Sequence, residues 1–168
     1  MLMLIRQLIS MIALPFTVTV VIPIWIARRN HVSFVLPVNV RDSMLVVIGT
    51  MALAAGLVLF SACVFLFWTR GRGTLAPWDP PRQFVTEGPY GFVRNPMISG
   101  VIFILAGEAC LLRSRSIGEW AALFTLINLI YIPLIEEPML EARFGESYKG
   151  YAASVPRFVP WKATRARR

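Results

Sequence analysis

Between Asp42 and Arg70 the chain reads SMLVVIGTMALAAGLVLFSACVFLFWT, residues 43–69, 27 residues without a single charge. A helix needs about 20 apolar residues to cross a hydrocarbon core of about 30 Å, so this run predicts a transmembrane helix over about 44–68. Toward the N-terminus, 21 uncharged residues separate Arg6 from Arg28 and predict a second span over about 8–27. Pro15 and Pro23 delete hydrogen bonds there and should kink it, a defect that neighbouring helices cover in membranes. A cleaved signal peptide fits this run less well. Its apolar stretch is too long, and Ile26-Ala27-Arg28-Arg29 is a poor small-residue cleavage site.

Toward the C-terminus, Pro96–Leu112 is broken only by Glu108, and 16 uncharged residues lie between Glu119 and Glu136. These predict two shorter spans, about 96–112 and 120–135, which the brief link Arg113–Glu119 folds into an antiparallel hairpin. After Glu136-Glu137-Pro138, the residues Leu140, Phe144, Tyr148 and Tyr151 recur at helical spacing among charges, so Met139–Ala153 reads as an amphipathic helix. The expected architecture is all-α: one membrane domain over 1–168, with four transmembrane helices, a polar loop 70–95 and a C-terminal segment 136–168.

Composition agrees. The hydrophobic share is 57% and the charged share 15%, against roughly 45–50% and about 25% in soluble domains, and the mean hydropathy is +0.64. A disordered chain and a cytosolic enzyme are excluded. Cys63 and Cys110 both lie in apolar runs, which excludes a secreted disulfide scaffold. The net charge of +8 sits at the ends of apolar runs, a pattern suited to anionic lipid headgroups and not to nucleic acid. With four spans, twelve Lys and Arg fall on the side of the two termini and five on the other. The positive-inside rule then makes both termini cytoplasmic in a multi-pass membrane protein.

The polar segments are unequal. The loop 28–43 holds His31, the lone histidine, with no partner for a metal site and no evident role. The sequence has no phosphate-binding glycine loop, strand-linked dinucleotide fingerprint, Ser-His-Asp set or Cys-x-x-Cys. What remains gathers on the cytoplasmic side. Gly88-Pro89-Tyr90-Gly91-Phe92-Val93-Arg94-Asn95-Pro96-Met97 makes a tight loop and opens a helix whose first amides are spare donors, suited to a carboxylate or a ribose. Arg94 also fits a snorkelling anchor, and Tyr90 an aromatic-belt residue. Glu136 and Glu137, at the expected end of the fourth span, oppose the helix dipole and project about 100° apart, so at most one faces the bundle. Glu108, an acid within a span, is a functional candidate by its cost alone, with Arg113 or Arg115 as snorkelling partners.

These residues resemble the isoprenylcysteine carboxyl methyltransferase and phospholipid methyltransferase superfamily, in its bacterial-type membrane members. The resemblance is carried by Gly88-Pro89-Tyr90, Val93-Arg94-Asn95-Pro96-Met97 and Gly100, then Glu136-Glu137, Leu140, Phe144-Gly145-Glu146, Tyr148, Tyr151, Val155-Pro156-Arg157 and Pro160. It spans about residues 71–161. It implies an enzyme of the bacterial cytoplasmic membrane that holds S-adenosyl-L-methionine in a cytoplasmic pocket closed by the C-terminal segment, and methylates a lipophilic acceptor drawn from the bilayer. Carried over by motif position, the cofactor contacts fall on Arg82, Gln83, Phe84, Val85, Tyr90, Asn95, Pro96, Met97, Ile98 and Glu136. Arg94, Glu108 and Glu137 stand as catalytic candidates, either glutamate as a base, and no metal is implied.

Three positions depart from the pattern. Asn95 replaces the family's usual histidine, Ile98 a tyrosine, and Ile132 the arginine one turn before the glutamates that carries substrate. Ile132 is expected to look toward the cofactor pocket, where it offers no partner to a carboxylate. The expected acceptor is therefore neutral or amine-bearing. A nicotinamide-dependent membrane reductase, which shares an Arg-x-Pro loop, and a non-catalytic protein on the same scaffold are the alternatives.

Overall fold

The computed structural model describes residues 13–67, 69 and 86–160, and among these it is helical with no strand. Helix α1 (Ile22–Arg29) is entered through a π-helical turn at Thr17–Val21. It is followed by α2 (Val40–Leu66), α3 (Pro96–Leu111), α4 (Arg115–Tyr131), a second π-helical turn at Ile132–Glu136, α5 (Glu137–Phe144) and α6 (Glu146–Ser154). Helix starts follow local chemistry. Asn39 Oδ1 accepts from the Asp42 amide at 2.8 Å to cap α2, Ser114 Oγ accepts from the Ile117 amide at 3.3 Å to cap α4, and Pro96, which has no N–H to leave unpaired, begins α3.

Among the described residues, two helices are long and apolar enough to cross a membrane: Val40–Leu66, and the continuous run Arg115–Phe144 formed by α4, the second π-turn and α5. Their outer faces remain bare, with Val47, Met51, Val58 and Phe65 on α2 and Leu126, Ile127 and Ile130 on α4 about half exposed or more. So much apolar surface calls for a lipid or other apolar surrounding. Helix α3, at 16 residues, is shorter than either.

Helices α2 and α3 pack backbone against backbone. Gly49 lies opposite Gly107 and Gly56 opposite Gly100, in antiparallel register. A Cβ on Gly56 would stand 2.7 Å from both Gly100 O and Ile104 N, and one on Gly107 2.7 Å from Leu53 N. Only glycine admits backbones this near, and without a hydrophobic drive between helices in lipid, such dispersion contact supplies the cohesion. The seven-residue spacing of glycines in both helices is the sequence signal for this pairing, and the expectations above did not use it. On the other side of α3, Val101 and Leu105 pack with Val18, Ala121 and Phe124 to join the first π-turn, α3 and α4.

Two expectations are corrected here. The fourth helix does not stop before Glu136. It runs on to Phe144, because the π-turn absorbs Pro133 and Pro138 without breaking the helix, and it ends where Gly145 adopts φ +56. Glu136 and Glu137 therefore lie inside a helix, and the argument from the dipole at a helix C-terminus does not apply. Nor is Met139–Ala153 a single helix: the reversal at Gly145 divides it into α5 and α6.

Candidate active site

The site forms where α3 begins. Gly88, at φ +58, starts the tight turn Gly88–Gly91, and the turn presses the Tyr90 ring edge-on against Phe67 with centroids 5.4 Å apart. Tyr90 and Met97 are thereby buried in a cluster with Cys63 and Phe67. Pro96 is fully buried, and Ile98 packs against the cluster on the other side of α3. The side chains of Tyr90 and Pro96–Ile98 thus serve the core. The backbone is what they can offer a ligand: the first intrahelical bond shown at this end of α3 is Ser99 N–H to Asn95 O at 3.1 Å, leaving the Met97 and Ile98 amides as spare helix-start donors.

The C-terminal segment straps this loop to α5. The Arg94 amide donates to Pro156 O at 2.8 Å, and the Asn95 amide to Arg157 O at 3.3 Å. The Asn95 carboxamide Nδ2 donates to the same oxygen at 3.4 Å, and Tyr151 Oη donates to Tyr90 O at 2.7 Å. Arg157 then grips Glu137 with both arms of its guanidinium, Nε to Oε1 at 2.6 Å and Nη2 to Oε2 at 2.8 Å. Arg94 Nη1 closes on Oε1 from the other side at 3.2 Å. Two guanidinium groups on one carboxylate leave a surplus positive charge and a Glu137 fixed in place. Glu136, one residue earlier, has no hydrogen bond or ion pair with a described residue.

Burial pushes the phenols of Tyr90, Tyr148 and Tyr151 above their ordinary range. For Tyr148 the Glu137 carboxylate adds to the shift, and for Tyr148 and Tyr151 the Arg94 charge opposes it. The Arg157 guanidinium is held more firmly protonated by its bond to Glu137. Beside these groups opens a hollow of about 410 Å³ whose wall includes Arg94, Pro133, Glu137, Pro138, Tyr148 and Lys149.

Of the residues singled out in the sequence, Arg94, Asn95 and Glu137 are brought together here, with Glu136 adjacent. Arg82, Gln83, Phe84 and Val85 lie outside the described residues. Glu108 is not part of this cluster: it sits about 18 Å along the axis of α3 from Pro96. Nor do its expected partners reach for it, since Arg113 pairs with Asp42 at 2.9 Å and Arg115 with Glu119 at 2.9 Å. Ile132 is fully buried and does not line the hollow; Pro133 does. The π-turn inserts an extra residue and so rotates the face that ordinary helical spacing would have presented. Arg157, Tyr148 and Tyr151 join the site although they were read only as pattern residues. Their contacts depend on the reversal at Gly145, which helical spacing cannot reveal.

Long apolar helices, with no strand among the described residues, and a charged, aromatic cluster at one end are the marks of a membrane protein. A family model for phospholipid methyltransferases matches residues 44–147, and the chain belongs to that family. Neither a curated protein nor a solved structure matches it.

Proposed function

We propose that the protein is an S-adenosylmethionine-dependent methyltransferase that acts on a lipophilic acceptor at the cytoplasmic face of the membrane. The observation that carries this reading is the meeting of Arg94 and Glu137 on one hollow, with Asn95 next in the chain to Arg94 and tied to the same strap, all three within the family match. The residues present suit the cofactor. Arg94 Nε is buried without a hydrogen-bond partner among the described residues, Glu136 has no hydrogen bond or ion pair with any of them, and the hollow falls in the size range of small-molecule sites. Glu136, the Asn95 carboxamide and the Met97 and Ile98 amides would hold it; Arg82–Val85, the other candidates, lie outside the described residues. S-adenosylmethionine, when bound, supplies a methyl group already activated by its sulfonium.

The protein's task is then alignment and exclusion of water. Arg157 and Arg94 fix Glu137, so we assign Glu137 to positioning Arg94 and the strap, and Glu136 to accepting hydrogen bonds from ligand. Tyr148 closes the wall beside them. In the four-span topology proposed from the sequence, with the run that ends in α1 and helix α3 as the shorter spans and both termini cytoplasmic, this cluster would lie at the inner interface, where a lipid-soluble acceptor arrives laterally. Ile132, fully buried and off the wall of the hollow, does not select the acceptor.

Calorimetry of S-adenosylmethionine binding to the purified protein tests the reading. Glu136→Ala is expected to weaken binding by about 1.5–3 kcal/mol, tenfold to a hundredfold, with the fold retained. Absence of binding to the folded wild type would overturn the proposal. Incubation with labelled cofactor and a lipid extract, followed by mass spectrometry of the products, identifies the acceptor.

A further inference from the structure

The two π-turns free a carbonyl in the same way. In the first, the Ile22 amide donates to Thr17 O. Val18 O thus loses the donor it would have in an α-helix, and the residue five ahead of it is Pro23, which has no N–H. In the second, the Glu137 amide donates to Ile132 O, and the residue five ahead of Pro133 is Pro138. Val18 O is rescued from outside by Trp120, whose indole Nε1 donates to it at 3.1 Å. Pro133 O receives no such bond from a described side chain. It lies between Pro133 and Glu137-Pro138 on the helix surface, and all three residues line the hollow.

We propose that the Pro133 carbonyl is a ligand-binding atom of the hollow, taking a hydrogen bond from an ammonium N–H. An unpaired carbonyl at a partly buried wall attracts a donor. The wall carries Glu137 and Glu141 together with Arg94 and Lys149, which pair with them, so an ammonium at the Pro133 carbonyl can share these carboxylates while an anionic group on the same ligand shares the cations. The inference rests on the hollow being the site of the proposed methyltransferase. Two sources share this chemistry, the amino group of the cofactor and that of an amine-bearing acceptor. A quaternary nitrogen has no N–H, so this contact separates primary amines from fully methylated ones.

The test returns the missing donor. Pro138→Ala supplies an N–H five residues after Pro133 and fills the carbonyl from within the helix; replacing a helix-interior proline does not threaten the fold. Binding of S-adenosylmethionine, dodecylamine and dodecyltrimethylammonium is measured for wild type, Pro138→Ala, Pro138→Ser and the control Pro23→Ala. Both substitutions at 138 are expected to weaken either the cofactor or dodecylamine about tenfold, which identifies the source, and to leave dodecyltrimethylammonium unchanged. Pro23→Ala should change none. Unchanged affinity for both N–H donors in folded Pro138→Ala and Pro138→Ser, or equal weakening of the trimethylated probe, would overturn the inference while leaving cofactor binding by wild type intact. Conversely, wild type that binds no cofactor, with dodecylamine binding still sensitive to position 138, would sink the methyltransferase reading and keep the carbonyl site.

Discussion

The turns at Thr17–Val21 and Ile132–Glu136 are built alike, each ending two residues before a proline, yet they end in opposite conditions. The first is sealed: Thr19 is buried, its Oγ1 donates to Pro15 O at 2.8 Å, and Trp120 caps Val18 O. The second opens on a hollow beside Arg94 and Glu137. The same backbone irregularity is thus a packing device where neighbours complete its hydrogen bonds and a site feature where they do not. The difference lies in the third element, an indole in one case and a charged strap in the other.

The comparison fails altogether if the scaffold common to both turns is lost. Gly56→Leu must push α2 off the backbone of α3, and a loss of about 3 kcal/mol or more is expected in reversible unfolding, with both regions affected alike. Gly150→Ala, with open space around it, should leave the fold untouched. Next in size is a change confined to the open turn. Glu137→Ala leaves Arg94 and Arg157 facing each other without a counter-charge, at a cost of about 2–3 kcal/mol given its partial exposure. Arg157→Ala should cost less, about 1 kcal/mol, because that guanidinium is more than a third exposed. Both should accelerate hydrogen exchange at the Arg94 and Asn95 amides, which the strap holds, and neither should alter exchange near Val18.

Legibility in the sequence followed the length scale of the interactions. Residues 43–69 announced their helix because an uncharged run of that size has few other fates, and Pro96 marked the start of α3 through a local rule. Arg94, Asn95 and Glu137 were identified as residues, but their joint attachment to residues 156 and 157 was not. It depends on a backbone reversal at one glycine and on a π-turn, neither of which leaves a period in the sequence. Glu108 was read from its cost in lipid. That cost says where a residue is expensive, not what it lies near.

Sharper still is the sealed turn taken alone. Trp120→Phe keeps the aromatic packing and removes the donor, leaving Val18 O unpaired; about 1–2 kcal/mol of stability should be lost with cofactor affinity unchanged. A drop in affinity would show that the two turns are coupled. The smallest effect at neutral pH is the titration of the phenols. Tyr90, Tyr148 and Tyr151 have folded pKa values raised by burial. Their contribution is therefore complete below the ordinary phenol value of about 10 and is lost as pH rises through the folded values. The first turn has no tyrosine. Hydrogen exchange followed into the alkaline range should show the Arg94–Asn95 strap loosening before the region around Val18.

The glycine contact between α2 and α3 also sets a position, as the notch of a gauge does. Where two backbones meet at Gly49–Gly107 and Gly56–Gly100, sliding one helix past the other by a turn brings side chains into spaces that admit none. Such a slip would carry Asn95 about 5.4 Å along the axis. The depth at which the Arg94–Asn95 end of α3 sits relative to α2 is thus indexed in whole steps by four glycines.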